Sequence, residues 1–167
     1  MKSLKQYILP VVLLVGAGPL SARIVQEYAG AKKTEPSKDV MEAVDGLTHE
    51  FVVKHKTLKD LHRKCGEVLN AVAKTTRDQI VVLLIKEDDR DLVLVVDHKK
   101  KALTLYRDPV ITPDGRILLD ESPGSSVYSK DMHDAVLIKA RARKAIEGVN
   151  KAIEQQTIKP AAVAAAK

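Results

Sequence analysis

Gln79-Ile80-Val81-Val82-Leu83-Leu84-Ile85-Lys86 and, a few residues on, Leu92-Val93-Leu94-Val95-Val96 are the stretches on which the fold turns. Both are runs of β-branched residues and leucine of strand length. Neither alternates between apolar and polar. A strand with water on one face must alternate, because successive side chains point to opposite sides. Both sheet faces are therefore expected to be covered here, by helices on each side or by a second subunit.

Working outward, Glu87-Asp88-Asp89-Arg90-Asp91 reads as a charged turn between the two runs. His98-Lys99-Lys100-Lys101 reads as the next turn. Ala102-Leu103-Thr104-Leu105-Tyr106 then alternates, with Leu103 and Leu105 on one side. Pro113-Asp114-Gly115 is a turn signal, and Arg116-Ile117-Leu118-Leu119-Asp120 follows as a further strand. The expectation is an antiparallel meander of three or four strands.

Helical patterns flank it. Val40, Val44, Leu47 and Phe51, then Leu58, Leu61, Cys65, Val68 and Val72, recur at steps of three and four along one face. The stripe lapses at Lys54-His55, so this is one long amphipathic helix or two helices hinged near residue 55. Ser37 can cap the start, with Asp39 in the first turn, and Thr57-x-x-Asp60 can cap a second start. Downstream, Ser122-Pro123-Gly124-Ser125-Ser126 reads as a loop. A last amphipathic helix is expected from about residue 129 to 154, carrying Ile138, Ala142, Ala145, Val149 and Ile153 inward. Helix, meander, helix gives an α+β fold.

The N-terminus has a different character. Lys2 and Lys5 precede residues 6–22, which carry no charge. The apolar centre contains Ile8, Leu9, Val11, Val12, Leu13, Leu14 and Val15, and small residues follow at Gly16, Ala17, Gly18, Ser21 and Ala22. A basic start, an apolar middle and a small-residue end are the parts of a secretory signal. Cleavage after Ala17 or Ala22 is the first expectation. A retained membrane anchor is the second, although the stretch is slightly short of the ~20 residues a span needs. The domain organisation is thus 1–22 signal peptide or anchor, 23–36 polar connector, 37–157 α+β domain and 158–167 low-complexity tail. The protein is expected to be exported or membrane-anchored, outside the cytoplasm, in a bacterial periplasm or an equivalent space.

The chemistry is sparse. Lys54, Lys56, Lys59, Arg63 and Lys64, interleaved with His55 and His62, form a basic stretch that could lie on phosphates or acidic lipids. Within residues 54–64 Asp60 is the one opposing charge. The net charge of +6 is mild, aromatic residues are 3% and there is no Trp. Stacking platforms for bases are therefore few, and nucleic acid is not the expected partner. His62 and the single cysteine, Cys65, are possible metal-ligand types, but no third ligand accompanies them and no metal is assigned. The acidic turn at 87–91, with Asp108 at the same end of the meander, fits no calcium loop. Asp97, His98, Ser125 and Ser126 supply triad residue types without a nucleophile elbow, so no catalytic residue and no cofactor are assigned.

The leading functional expectation is a non-enzymatic envelope or membrane-associated protein. It would act by binding other proteins, a second copy included, as a structural or assembly component. The alternatives are a small exported hydrolase or metal-dependent enzyme, and a basic module for anionic lipid or nucleic acid.

Overall fold

The computed structural model describes residues 24–29, 32–52, 58–86, 91–119, 126–129 and 134–165. The apolar leader lies outside them, with all seven of its core residues, Ile8, Leu9, Val11, Val12, Leu13, Leu14 and Val15.

The two decisive runs are strands β3 (Ile80–Lys86) and β4 (Asp91–Asp97), antiparallel with Leu83 opposite Leu94. Strand β5 (Ala102–Arg107) continues the meander, with Leu105 opposite Leu94. The absence of alternation has the expected cause. Val81, Leu83 and Ile85 enter one core, while Val82 and Leu84 enter another on the opposite face.

The first core is roofed by two helices rather than one. Helix α1 (Lys38–Val52) contributes Val40, Val44 and Leu47, and α2 (Leu58–Thr75) contributes Cys65, Val68, Leu69 and Val72. The break falls where the stripe lapses. Ser37 caps α1 as its sequence suggests: its Oγ accepts from Val40 N at 3.4 Å, and its carbonyl from Met41 N at 3.0 Å. Thr57 lies outside the described residues, but Asp60 stands in the first turn of α2.

The second core is roofed by α3 (Ala135–Ala165), through Ala142, Ile146, Val149 and Ile153. The protein is therefore α+β in three layers, with helices on both faces of one antiparallel sheet. It closes its own cores without calling on a second subunit for the sheet faces.

The sheet is wider than a meander, six strands in the order β2-β1-β3-β4-β5-β8. The stretch 23–36, expected as a connector, contains β1 (Ile24–Ala29) and the edge strand β2 (Lys32–Thr34). Tyr28 belongs to the second core and pairs with Val82, which a linker would not do. The other edge is β8 (Ser126–Ser129), paired antiparallel with β5. The last helix accordingly starts at Ala135, not near residue 129, and runs on through the Ala-rich segment expected as a tail. Alanine has the highest helix propensity. Pro160, inside that range, cannot donate its backbone bond to the ladder.

The expected strand at 116–120 also lies elsewhere. Residues Val110–Ile111 (β6) and Ile117–Leu118 (β7) form a separate hairpin. Asp108, with φ 50°, and Pro109 turn the chain off the sheet after β5, freeing that edge for β8. Aspartate tolerates this left-handed conformation better than most residues. The tip is the expected Pro113-Asp114-Gly115 turn, with Gly115 at φ 91° and its N–H on the Thr112 carbonyl at 2.8 Å.

Candidate functional site

Of the basic stretch, Lys54 and Lys56 lie outside the described residues; Lys59, Arg63 and Lys64 are on the first half of α2. Lys59 is exposed. Arg63 Nη1 and Lys64 Nζ share one carboxylate, Glu67, at 2.7 and 3.0 Å. The Lys64 hydrogen bond, followed by its charge and those of Arg63, holds the Glu67 carboxyl below its ordinary pKa. Glu67 therefore answers two of the three described cations. The signal was available, since Glu67 follows Arg63 by four residues and Lys64 by three, the spacings that meet on a helix.

Lys64 also has a packing role. Its side chain is 22% exposed and lies along Gly46 of α1, where a Cβ would come within 2.7 Å of Nζ. The lysine stem fills the seam between the two helices. What remains for an anion among these residues is Lys59 and the outer side of Arg63.

The metal-ligand types part company. Cys65 is fully buried in the first core, and burial pushes its thiol up to about 12. Its neighbour His62 is exposed and meets the Tyr128 ring edge-on, with centroids 5.1 Å apart. That contact lays the start of α2 beside the β8 edge. Among the described residues no group of three or more His, Cys, Asp or Glu is placed to hold a metal ion.

The triad residue types are also separated. Asp97 is buried at the end of β4, where Oδ1 accepts from Lys100 N at 3.0 Å and Oδ2 from Gln79 Nε2 at 3.4 Å. It organises the turn that ends with Lys101 at φ 51°. His98 Nε2 is 2.5 Å from the Asp78 carbonyl, tying the same turn to the start of β3. Ser126 pairs with Leu105, and Leu105 with Leu94, three residues before Asp97. Strand geometry then puts Ser126 about 14 Å from Asp97, out of reach of a proton relay. Ser125 lies outside the described residues.

Asp91 and Asp108 do share one end of the sheet, with Asp108 N donating to the Asp91 carbonyl at 2.9 Å. Asp91 pairs with Lys86 at 3.8 Å. Residues 87–90 lie outside the described ones.

The most fully built polar cluster is one that sequence reasoning missed. Asn150 of α3 treats β7 as a strand partner: Ile117 N donates to its Oδ1 at 2.8 Å, and its Nδ2 donates to the Ile117 carbonyl at 2.7 Å. Arg116 Nη1 reaches Glu154 Oε1 at 2.6 Å and Arg116 Nε lies 2.9 Å from Asp114 Oδ2. The Thr112 hydroxyl donates to Asp114 Oδ1 and accepts from Arg116 N at 2.9 Å. The Thr112 hydrogen bond, then Arg116, keeps the Asp114 carboxyl below its usual range. Every contact is internal, and the cluster does one thing: it fastens the β6–β7 hairpin onto α3.

A shallow cleft between the start of α3 and the sheet is lined by Ile80, Val95, Asp97, Thr104, Ile138 and Arg141. It holds about 20 Å³ of free space, enough for a water molecule and too little for a metabolite.

The surface is more informative. Val136 is 82% exposed and Leu137 52%, side by side in the first turn of α3, and Val110 (59%) and Leu118 (49%) stand in water on the hairpin. Among the described residues no helix is long and apolar enough to cross a membrane. Compared with protein-family models, with curated proteins and with solved structures, the chain returns no match.

Proposed function

We propose that this chain is an exported or membrane-anchored protein of the cell envelope that works by binding other proteins, as a structural or assembly component. The observation that carries the reading is the exposed pair Val136 and Leu137, the adjacent members of the four large aliphatics exposed among the described residues. Both sheet faces are roofed by the chain's own helices, so these side chains are not the spare edge of an unfinished core. Adjacent large aliphatics at the surface are the material of interface centres. The polar groups that might have carried chemistry are engaged elsewhere. Asp97 and His98 build a turn, Arg63 and Lys64 share Glu67, and Cys65 lies in the core. The leader supports the location, because a basic start followed by residues 6–22 without charge has the form of an export signal.

The test is crosslinking in the native membrane fraction, with the full chain and its Val136→Asp, Leu137→Asp double variant. A discrete adduct is expected with the native chain and lost in the variant, with the melting curve of the variant unchanged. A chain that stays monomeric and yields no adduct, or an adduct indifferent to both substitutions, would overturn the reading.

A further inference from the structure

We infer that the first three turns of α3 bind an acidic segment of another protein, whose aliphatic side chains cover Val136 and Leu137 and whose carboxylates meet Arg141 and Lys144. This rests on the reading above and names the chemistry of the partner.

The helix sets the patch. Its inward stripe of Ile138, Ala142, Ile146, Val149 and Ile153 is spent in the second core or against the sheet. At about 100° per residue, positions 136, 137, 140, 141 and 144 point away from that stripe. All five are exposed. Val136, Leu137 and Ala140 make an apolar start. Arg141 and Lys144 follow Leu137 by four and seven residues, about 6 and 10 Å further along the axis.

Charge selects the partner. Between Asp134 and Glu147 the helix carries Lys139, Arg141, Arg143 and Lys144 and no acid. Lys139 is half-buried, and Arg143 is engaged with the Tyr106 hydroxyl. Arg141 lines the same cleft as Asp97, but that carboxylate is buried and accepts from Lys100 N and Gln79 Nε2. Among the described residues Arg141 and Lys144 make no ion pair, unlike Arg63 and Lys64, which Glu67 answers on α2. Exposed cations without an internal answer, one turn from exposed aliphatics, complement a surface that is itself apolar and acidic.

A bilayer matches the patch less well. A helix lying in a lipid surface sinks a wide apolar face into it, and α3 has given its own to the domain core. Arg141 and Lys144 also fall short of the roughly four to eight clustered cations that read anionic lipid.

The test places Ala140→benzoylphenylalanine in the full chain, photolyses it in the native membrane fraction and sequences the crosslinked peptide. The expected adduct joins a peptide of another protein that carries aliphatic residues and net negative charge. Its yield should fall several-fold in Arg141→Glu with Lys144→Glu, and in about 0.5 M salt. It should hold in Lys151→Glu, exposed two turns further on. Arg141→Gln with Lys144→Gln should lower it to a lesser extent, and stands in if the reversal unfolds the chain. Three results would overturn the acidic partner while leaving protein binding intact: a neutral or basic partner peptide, an adduct between two copies of this chain, or a yield lost in Val136→Asp, Leu137→Asp but indifferent to charge reversal and salt. An adduct to lipid alone, or none, would overturn the protein-binding reading and this inference with it.

Discussion

Replacing Asn150 with alanine should release the β6–β7 hairpin from α3, and the size of the effect can be worked out. The amide makes two hydrogen bonds to one residue, 2.8 Å from Ile117 N and 2.7 Å to the Ile117 carbonyl. Ile117 is 1% exposed, so truncation leaves a backbone donor and an acceptor facing a protein interior. Each such group costs about 1–3 kcal/mol when left unpaired. Asn150 itself is only half-buried, so water can follow the lost side chain and the lower part of that range applies. The sum is about 2–3 kcal/mol. For a chain of this size each kcal/mol moves Tm by about 2–4 °C, which gives a fall of roughly 4–12 °C. Lys151→Ala, an exposed neighbour on the same helix, should move it by less than a degree or two.

Amide exchange should report the same loss. Exchange at Ile117 is expected to accelerate by roughly 25- to 140-fold, at tenfold per 1.4 kcal/mol, and amides of β3 and β4 that exchange through global unfolding by no more than that. Asn150→Asp sharpens the test. The carboxylate keeps an acceptor for Ile117 N–H but turns its other oxygen against the Ile117 carbonyl. Protonation restores a donor there, so the folded pKa of this aspartate is raised above its unfolded value. A raised pKa gives stability that is present below the unfolded value, about 4 for aspartate, and lost as pH rises through the folded value. The Asp variant should therefore come closest to the native chain in acid. A Tm change of under 2 °C for Asn150→Ala with unaltered exchange at Ile117, or an Asp variant that improves with rising pH, would refute the reasoning.

Other perturbations read other parts of the structure. Glu27 is buried on β1, and burial, then the Asp78 charge, raises its pKa; Glu27→Gln should stabilise at pH 7 by about 1 kcal/mol, since it removes a buried charge, with the gain vanishing as pH falls below the carboxylate range. Cys65, its thiol pushed up to about 12, should be silent to a thiol reagent in the native chain and react at once in denaturant. In the unfolded chain that thiol ionises first, so native stability should fall as pH rises from 9 towards 12, and Cys65→Ala should make that slope shallower, the remainder coming from the Tyr28 and Tyr106 phenols that burial also raises. Gly46→Ala brings a helix-propensity gain of about 0.8–1 kcal/mol but displaces the Lys64 tip, so the melting gain should be larger in a Lys64→Ala background than in the native one.

How far the sequence spoke for the fold depended on where each element found its partners. Strands β3 and β4 announced both their conformation and their two-sided burial, because the six apolar residues of Ile80 to Ile85 can only be hidden by covering both faces. The α1–α2 break showed in the lapse at Lys54-His55, and the Ser37 cap in its own side chain. Strand β1 did not show itself. Gln26 and Glu27 interrupt its apolar character, and it is a strand because β3, far along the chain, pairs with it from Ile24 to Tyr28. Strand β8 begins at the last residue of the stretch 122–126 that reads as a loop and is only four residues long, and its place in the sheet is open because Asp108 and Pro109 take the chain off the β5 edge. Local pattern reveals an element that hides its own apolar face, and is mute about one completed by a distant partner.

The same distinction governs the polar residues. The basic stretch was conspicuous in one dimension, yet on α2 two of its members close on Glu67, one turn away. Asn150 carried no signal at all, being one amide in a solvated helix pattern, and it is the side chain that fastens the hairpin. A charge run advertises itself by repetition, but what it can bind depends on which of its charges are already answered within the fold. A lone amide advertises nothing, and matters when the backbone opposite it has nowhere else to turn. Among the described members of the basic stretch, the partnered charges leave Lys59 and the outer side of Arg63 to meet an anion. The exposed aliphatics at 136–137 and at 110 and 118 have no such internal answer. That asymmetry among the described residues, of charges partnered on α2 and aliphatics exposed on α3 and the hairpin, is what supports the proposal of apolar contact with a protein.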